Sequence, residues 1–397
     1  MGKRGFWCGL LLILQLWFGL GIQPVLALSS EQQLVLQAWR TVNQAYYDDT
    51  YNHQNWWKVR DETIKQTIPD TESAYNSIEK MLASLDEPFT RLLRPEQYRS
   101  LQVNTAGELY GVGLQIGITA DSKQIEVIAP ILGSPAEKAG IKAHDIIVKV
   151  DATPTQELDL DTAAAKMRGP AGTNISLTIK SPGTPEKEVI LERQKIDLHP
   201  VVAELRRDGQ KPVGYIRLAQ FSAKAPAETA AAIQDLAKKG AKAYVLDLRN
   251  NPGGLVTSGV EIARMWLNDA TIVYTVNRQG ISDSFNATHE ALTTLPLAVL
   301  VNSGTASASE ILAGALQDNQ RGIIVGEKTF GKGLIQSLFE LTDGSGMAVT
   351  VAKYETPNHQ DIHKKGIEPQ VKVAANESSD DKNADPQYQA AVKALMS

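Results

Sequence analysis

The spacing of apolar residues changes character along the chain, and the first pattern is helical. Before residue 106, apolar positions recur every three to four residues, as they do on one face of an α-helix. The pattern predicts helices that begin at Ser30 in a Ser30–Gln33 capping box, span about Trp56–Gln66, and run over about Thr71–Leu85. We therefore expect residues 28–105 to form a helical region, with its aromatic side chains in the core.

The second pattern covers residues 106–184, where glycine becomes frequent and short strands alternate with turns. The predicted strands are Gly111–Ile116, Ile125–Ile131, His144–Val150 and Ile175–Lys180, and the predicted helices are Gly133–Gly140 and Asp159–Met167. This order of elements predicts a separate small domain of strands and helices.

The third pattern covers residues 185–375, where apolar strands alternate with amphipathic helices. The predicted strands are 213–218, 243–248, 272–275, 298–301 and 323–325, and the predicted helices are 225–239 and 257–266. Such alternation is typical of an α/β core with a largely parallel sheet, whose active groups gather at the carboxyl ends of strands. Residues 376–397 begin as a polar tail, and Tyr388–Met396 predicts a short final helix.

The first 27 residues have the layout of a signal peptide. Lys3 and Arg4 precede the apolar run Phe6–Ile22, and Val25–Ala27 is a small-residue cleavage site. An uncleaved anchor is the alternative, although the run is short for a membrane-spanning helix of about 20 residues. We expect an exported protein. Cys8 is the only cysteine and lies in this segment, so the mature chain has no disulfide, thiol nucleophile or cysteine-based metal site.

Composition and charge narrow the function classes. Apolar residues make up 43% and charged residues 21%, which is ordinary for a globular protein. The net charge is −5, and removing residues 1–27 takes away two positive charges and leaves −7. The net charge therefore gives no indication of a basic surface that would bind nucleic acid.

The candidate chemistry lies in Ala298–Gln336, where a short strand enters a small-residue turn that opens a helix. Ser307 lies in this turn, where helix N–H groups can stabilise an oxyanion. Lys332 follows 25 residues later between two glycines, and a lysine starved of water can act as a general base. Ser307–Glu310 is also a capping box, so Ser307 could simply cap the helix. Ser303, Thr305 and Ser309 are rival hydroxyls.

Two other motifs suggest different chemistry. Gly326–Gly333 is one residue short of a phosphate-binding P-loop, because glycine replaces the hydroxyl residue that would hold Mg²⁺. His359 and His363 have the spacing of a zinc helix, but the glutamate of that motif is absent. We predict no metal and no cofactor. A Ser-His-Asp triad stays open, although no histidine lies in a matching motif.

The segments VNSGTASASEILAGALQDN and GEKTFGKGLIQ resemble the signature of the carboxyl-terminal processing proteases, a Ser/Lys peptidase family. The resemblance implies that Ser307 is the nucleophile, Lys332 the general base, and Gln336 the residue that orients the lysine. We expect the lysine and the glutamine to share a helical turn, where side chains four residues apart can touch.

The resemblance extends to the oxyanion hole. The segment LDLRNNPGGL resembles the one that supplies half of the hole in this family, which implies the backbone N–H of Gly253 as one donor and that of Ala308 as the other. Asp318 matches a family position that supports the site. It could equally be a residue of the loop after the helix.

Residues 106–184 resemble a PDZ domain over their whole length. Such domains bind a peptide C-terminus as an added strand and hold its carboxylate on backbone N–H groups. The resemblance assigns the carboxylate site to Gly111, Val112, Gly113 and Leu114, and the opposite groove wall to Ala163, Ala164 and Met167. The glycines could alternatively only shape a hairpin.

Together these observations predict a multidomain α+β protein with an N-terminal helical region, a PDZ domain and an α/β serine-protease core. Gln37–Thr41 and Asp86–Arg91 resemble the photosynthetic branch of the family, which trims the photosystem II reaction-centre precursor. That resemblance implies a protein substrate with a free C-terminal tail, which a membrane-embedded protein could supply, and a location in the thylakoid lumen or periplasm. The alternatives are a general tail-specific quality-control protease, a non-catalytic PDZ adaptor and a nucleotide-binding protein.

Overall fold

The computed structural model describes residues 28–396 except 107, 120–123, 132, 159, 209–210 and 375–384, so the predicted signal peptide lies outside the described residues. The helices are α1 Ser30–Ala45, α2 Trp56–Ile64, α3 Thr71–Ala83, α4 Pro95–Ala106, α5 Pro135–Lys138, α6 Leu160–Met167, α7 Ala225–Lys238, α8 Val256–Arg264, α9 Ala308–Asp318 and α10 Pro386–Met396, with a 3₁₀ turn at Thr155–Glu157. The strands are β1 Arg91–Leu93, β2 Glu108–Gly111, β3 Leu114–Ile118, β4 Ile125–Pro130, β5 Ile146–Val150, β6 Thr153–Pro154, β7 Asn174–Lys180, β8 Lys187–Glu192, β9 Gln194–Asp197, β10 Val201–Asp208, β11 Lys211–Leu218, β12 Ala243–Asp247, β13 Thr271–Asn277, β14 Gly280–Asn286, β15 Leu297–Val301, β16 Ile323–Gly326, β17 Leu334–Glu340, β18 Gly346–Glu355 and β19 Val371–Lys372.

A six-stranded sheet forms the centre of the α/β core, with the order β10-β11-β12-β15-β16-β19. Every neighbouring pair in it is parallel except β10 and β11. One face packs against α7, α8 and α9, whereas α10 covers the other face. Strands β12 and β15 are buried along their full length, which explains why their sequences are continuous apolar runs. The predicted largely parallel sheet is therefore confirmed.

A second sheet joins the helical region to the α/β core, and this connection is not predicted by the sequence pattern. Strand β18 pairs with β17, β13 and β1, and β1 directly follows the N-terminal helices. Trp39 and Ile78 of the helical region pack in one cluster with Met347 and Val349 of β18. The predicted helices are present, but the first is capped by Ser29 with Gln32, one residue earlier than predicted.

The glycine-rich segment folds as a sheet of order β3-β4-β5-β7-β8, with β6 paired to β5. Helix α6 packs on this sheet through Ala163 and Met167, beside Val127, Ile147 and Leu177. The short pair β2 and β9 lies where the segment enters and leaves the rest of the chain. Among the described residues, no helix is long and apolar enough to cross a membrane.

Candidate active site

Ser307 lies in a sharp turn between β15 and α9, at the carboxyl end of a buried strand. Its backbone angles are φ 57° and ψ −119°, whereas residues that cap helices usually have extended angles. A positive φ in a non-glycine residue costs of the order of 1–3 kcal/mol. Simple helix capping does not require this strain. A strained strand-to-helix turn that presents a serine hydroxyl is instead typical of a nucleophile.

Gly253 lies against this turn, at the end of the neighbouring strand β12. A Cβ atom at Gly253 would lie 2.8 Å from the Ser307 Cβ and 2.9 Å from the Ala308 nitrogen, and Gly253 has φ 97°. Only glycine permits such an approach. The Ala308 N–H lies in the first turn of α9, where an N–H group has no acceptor within its helix. The structure therefore brings both predicted oxyanion donors beside Ser307.

Asn251 shapes the turn that carries Gly253, and its side chain is fully buried. Its Oδ1 accepts the Gly253 N–H at 2.9 Å, and its Nδ2 donates to the Leu218 carbonyl at 2.8 Å. The Ser309 hydroxyl donates to the Asn251 carbonyl at 2.9 Å, and the Thr305 hydroxyl donates to the carbonyl of Leu248 at 2.8 Å. These two rival hydroxyls therefore have structural partners. An oxyanion would compete with Asn251 for the Gly253 N–H.

The Glu310 carboxylate connects the serine turn to the lysine loop, and Glu310 is fully buried. It accepts the backbone N–H groups of Ser307 at 2.9 Å, Gly331 at 2.7 Å and Lys332 at 2.8 Å. It also accepts the hydroxyl proton of Thr329. The capping-box pattern predicts only the bond to the Ser307 N–H, and the bonds of Glu310 to the lysine loop have no signal in the sequence. The same contacts show that the P-loop interpretation is wrong, because an acidic side chain holds the N–H groups that would bind phosphate.

Lys332 lies in the loop before β17, and its flanking glycines permit close backbone contact, as the sequence predicts. A Cβ atom at Gly333 would lie 2.7 Å from the His363 nitrogen, and one at Gly331 would lie 3.0 Å from the Gly366 nitrogen. The loop is followed by a strand, whereas a P-loop is followed by a helix.

Burial lowers the pKa of the Lys332 amine, because a desolvated ammonium ion loses hydration. The positive charge of Arg91 lowers this pKa further, whereas the carboxylates of Glu87 and Glu310 raise it. The net shift is downward, so more of the lysine is neutral near pH 7 than in an exposed side chain. A neutral amine can accept a proton from a serine hydroxyl.

Tyr354 is a second link between the two segments, and it was not identified from the sequence. Its hydroxyl lies 3.0 Å from the Ser307 carbonyl oxygen and 2.8 Å from the Lys332 carbonyl oxygen. Burial raises the pKa of Tyr354 well above its ordinary value, so the hydroxyl stays protonated and can donate. Strand β18 thus holds the backbones of both candidate catalytic residues.

The predicted helical turn at Gln336 is wrong, because Gln336 lies in β17 opposite Thr350 of β18. Its Nε2 donates to the Thr350 hydroxyl at 3.3 Å, and that hydroxyl donates to Glu87 at 2.6 Å. Residues 334–355 form a hairpin, and cross-strand pairing outweighs the local spacing that favoured a turn. The glutamine therefore belongs to a hydrogen-bonded chain that reaches the loop after α3.

Asp318 is the last residue of α9, about 15 Å along the helix axis from Ser307 at its start. Its Oδ2 accepts the Asn358 N–H at 2.9 Å. The structure therefore does not bring Asp318 together with the other candidate residues.

Arg249 anchors the final helix beside the turn that carries Gly253, and the sequence analysis does not single it out. Its guanidinium group donates to both carboxylate oxygens of Asp385 at 2.9 and 2.8 Å, and to Asp247 at 2.6 Å. Asp385 directly precedes α10 and also accepts the Tyr388 N–H at 3.0 Å. This partly buried ion pair links α10 to the end of β12.

Six of the seven residues predicted for the peptide groove lie together in the glycine-rich domain. With two further residues they line a cavity of about 60 Å³, whose full lining is Gly111, Val112, Gly113, Leu114, Ile116, Ala164, Met167 and Arg168. Ala163 does not belong to the groove wall, because it is fully buried in the core of the domain. Arg168, which no sequence motif marks, adds a positive charge to this lining. Among the described residues, no cluster of three or more His, Cys, Asp or Glu side chains could hold a metal ion.

This fold and site define a class: a serine-type peptidase with a PDZ domain. Residues 212–373 match peptidase family S41, and residues 126–181 match a PDZ domain. The chain is 58% identical over its whole length to a carboxyl-terminal-processing protease of Synechocystis sp., of which it covers 95%. It is 44% identical to the chloroplastic C-terminal processing peptidase of Tetradesmus obliquus, with coverage of 88% of this chain and 79% of the relative.

A solved structure supports the same conclusion. The photosystem II D1 C-terminal processing protease is 43% identical, with a TM-score of 0.61 and coverage of 87% of this chain and 94% of that chain. The chain therefore belongs to peptidase family S41, as a carboxyl-terminal-processing protease.

Proposed function

We propose that Ser307 and Lys332 form the catalytic pair that cleaves a C-terminal extension from an exported protein. One observation carries this proposal: the Glu310 carboxylate joins the strained Ser307 turn to the loop of a lysine whose pKa is lowered. A helix cap alone requires neither the backbone strain at Ser307 nor the bonds from the Gly331 and Lys332 N–H groups to Glu310.

In the proposed reaction, neutral Lys332 takes the proton of the Ser307 hydroxyl while the oxygen attacks the peptide carbonyl carbon. The Gly253 and Ala308 N–H groups stabilise the resulting oxyanion. A charged oxygen is a stronger acceptor than the amide oxygen of Asn251, so it can draw the Gly253 N–H away. The lysine then gives its proton to the leaving amine as the C–N bond breaks. Water activated by the lysine hydrolyses the acyl-enzyme.

The PDZ groove would select the substrate by its free C-terminus. Backbone N–H groups of residues 111–114 and the charge of Arg168 suit a terminal carboxylate, while Ala164 and Met167 offer an apolar wall. Gln336 would support the lysine from β17 through Thr350, in place of the direct contact expected from the sequence. Asp318 would act only indirectly, by holding Asn358 at the far end of α9.

We propose the tail of the photosystem II reaction-centre precursor as the substrate, which would be membrane-attached. The structural relative is named for processing the photosystem II D1 protein, and the sequence relatives include a chloroplastic peptidase. After removal of an N-terminal signal peptide over residues 1–27, the chain would act in the thylakoid lumen or the periplasm. We divide it into the helical region 28–105, the PDZ domain 106–184, the catalytic core 185–375 and the terminal segment 376–397.

Incubation with synthetic tails tests this proposal. The assay uses the purified chain and its Ser307→Ala and Lys332→Ala variants. Each protein is incubated with the precursor tail or with an unrelated unstructured tail. Each tail is prepared with a free and with an amidated C-terminus. We expect mass spectrometry to find one defined fragment from the free precursor tail, lost in both variants and reduced by amidation. Equal cleavage of both free tails would indicate a general quality-control protease. Equal cleavage of free and amidated tails would contradict PDZ selection.

A further inference from the structure

A loop from the N-terminal helical region reaches the proposed base. Residues 86–90 connect α3 to β1, and the Phe89 ring centroid lies 4.6 Å from the Lys332 Nζ. Phe89 is half-buried, and its distance from the amine places the ring on one side of that group. The helical region therefore contributes a side chain to the catalytic centre, although its sequence shows no chemical motif.

Hydrogen bonds hold this loop in place. The Glu87 carboxylate accepts the Phe89 N–H at 2.6 Å, the Thr90 N–H at 3.0 Å and the Thr350 hydroxyl at 2.6 Å. The Thr350 N–H in turn donates to the Thr90 hydroxyl at 3.1 Å. The outer side of the loop borders a cavity of about 400 Å³. Polar bonds to β18 therefore hold the loop that carries the ring.

The Phe89 ring differs from the other groups that face Lys332, because it is uncharged. Arg91 is the positive charge near the lysine, and Glu87 and Glu310 are the negative charges. These charges act through space. The face of the Phe89 ring attracts an ammonium ion, but the ring also takes the place of water beside the amine, and loss of water favours the neutral form. Loss of water is the largest influence on the pKa of Lys332, and the Phe89 ring is one of the groups that surround the amine.

We propose that Phe89 is a positioning residue for Lys332, whose ring closes one side of the amine and keeps water from it. This inference rests on the proposed role of Lys332 as the base. It makes residues 86–90 part of the active site, so a displacement of the helical region changes the protonation of the lysine without moving Ser307.

Chemical labelling of lysine tests the proposal without requiring peptidase activity. The full chain with Ser307→Ala receives a short pulse of acetic anhydride at a series of pH values, and peptide mass spectrometry follows acetylation of Lys332. Exposed Lys239 in the same digests is the internal control. Variants at Phe89 are alanine, valine and leucine, which cover the amine to increasing extents. Trp57→Ala is the matched aromatic control, because Trp57 is 56% exposed in the same region.

We expect Phe89→Ala to raise the labelling midpoint of Lys332 by about one pH unit, Phe89→Val by less, and Phe89→Leu least. Trp57→Ala should leave the midpoint unchanged, and no variant should move that of Lys239. If the alanine variant does not fold, the valine variant carries the same test. An unchanged midpoint in the smallest folded variant overturns the inference. Failure of the unmodified chain to cleave any tail is a separate result, which counts against the proposed function.

Discussion

Replacing Glu310 with glutamine removes half of the acceptors that join the serine turn to the lysine loop. In the native chain Oε1 accepts the Gly331 N–H and the Thr329 hydroxyl, while Oε2 accepts the Ser307 and Lys332 N–H groups. A glutamine keeps one of the two oxygens. Its NH₂ group replaces the other oxygen and faces two hydrogen-bond donors that then have no acceptor. Each buried donor left without an acceptor costs about 1–3 kcal/mol. Allowing for relaxation, we expect a loss of about 3 kcal/mol in the free energy of unfolding.

The same substitution acts on catalysis in two ways. A displacement of about 1 Å between nucleophile and base costs of the order of 10²-fold, and we expect that loss in kcat/KM. The negative charge of Glu310 raises the pKa of Lys332. Removing the charge therefore lowers this pKa, and the acidic limb of the rate profile moves to lower pH.

The measurements are thermal unfolding and the pH profile of kcat/KM for Glu310→Gln, with Glu340→Gln as the control. Glu340 is exposed at the end of β17, so its substitution should change stability by less than about 0.5 kcal/mol. We expect the unfolding transition of the core, residues 185–375, to lie about 6–10 °C lower in the Glu310 variant. A variant with unchanged melting and unchanged kcat/KM would refute the reasoning, because Glu310 would then not join the two segments.

Further predictions concern single groups in and around the site. Tyr354→Phe removes the hydroxyl between the two catalytic segments, and kcat/KM should fall about tenfold at a cost of about 1 kcal/mol in unfolding free energy. Gly253→Ala places a Cβ within 2.9 Å of the serine turn, so kcat should fall at least 10²-fold, as on loss of an oxyanion donor; unchanged kcat would contradict this. Because burial lowers the pKa of Lys332, the rate should rise with pH through a midpoint below that of an exposed lysine, and a flat profile would exclude the lysine base. Asp385→Asn weakens the paired bonds to Arg249, so urea unfolding should show a loss of about 1–3 kcal/mol, and an equal midpoint would show that the pair does not hold α10.

Apolar periodicity predicts the elements of this chain well where local sequence decides the structure. The helices near Trp56 and Thr71 are confirmed, as are the buried strands that lead to Asn251 and Ser307. A continuous apolar run flanked by turns allows few other structures, and parallel strands place their ends at one edge. The juxtaposition of Gly253 with Ser307 could therefore be expected from the order of elements.

The contacts between distant segments could not be predicted in this way. Gln336 has a spacing from Lys332 that fits a helical turn, but its partners lie in β18, and a single sequence does not reveal strand pairing. Phe89 lies in a segment with a family resemblance but no predicted chemical role, and Tyr354 lies in no motif, because the position of both depends on the strands that bring them to the site. Glu310 is the intermediate case: its capping-box position was visible, but its bonds to the lysine loop required the fold.

Labelling with a fluorophosphonate tests the central claim most directly, because the reagent bonds to an activated serine oxygen. The labelling rate of the full chain and of Lys332→Ala is followed against pH, and the modified residue is located by mass spectrometry. We predict a label on Ser307, with a rate that rises with pH in the full chain and falls at least 10²-fold in the variant. A label on Ser303 or Ser309, or an equal rate without the lysine amine, would contradict the Ser/Lys pair.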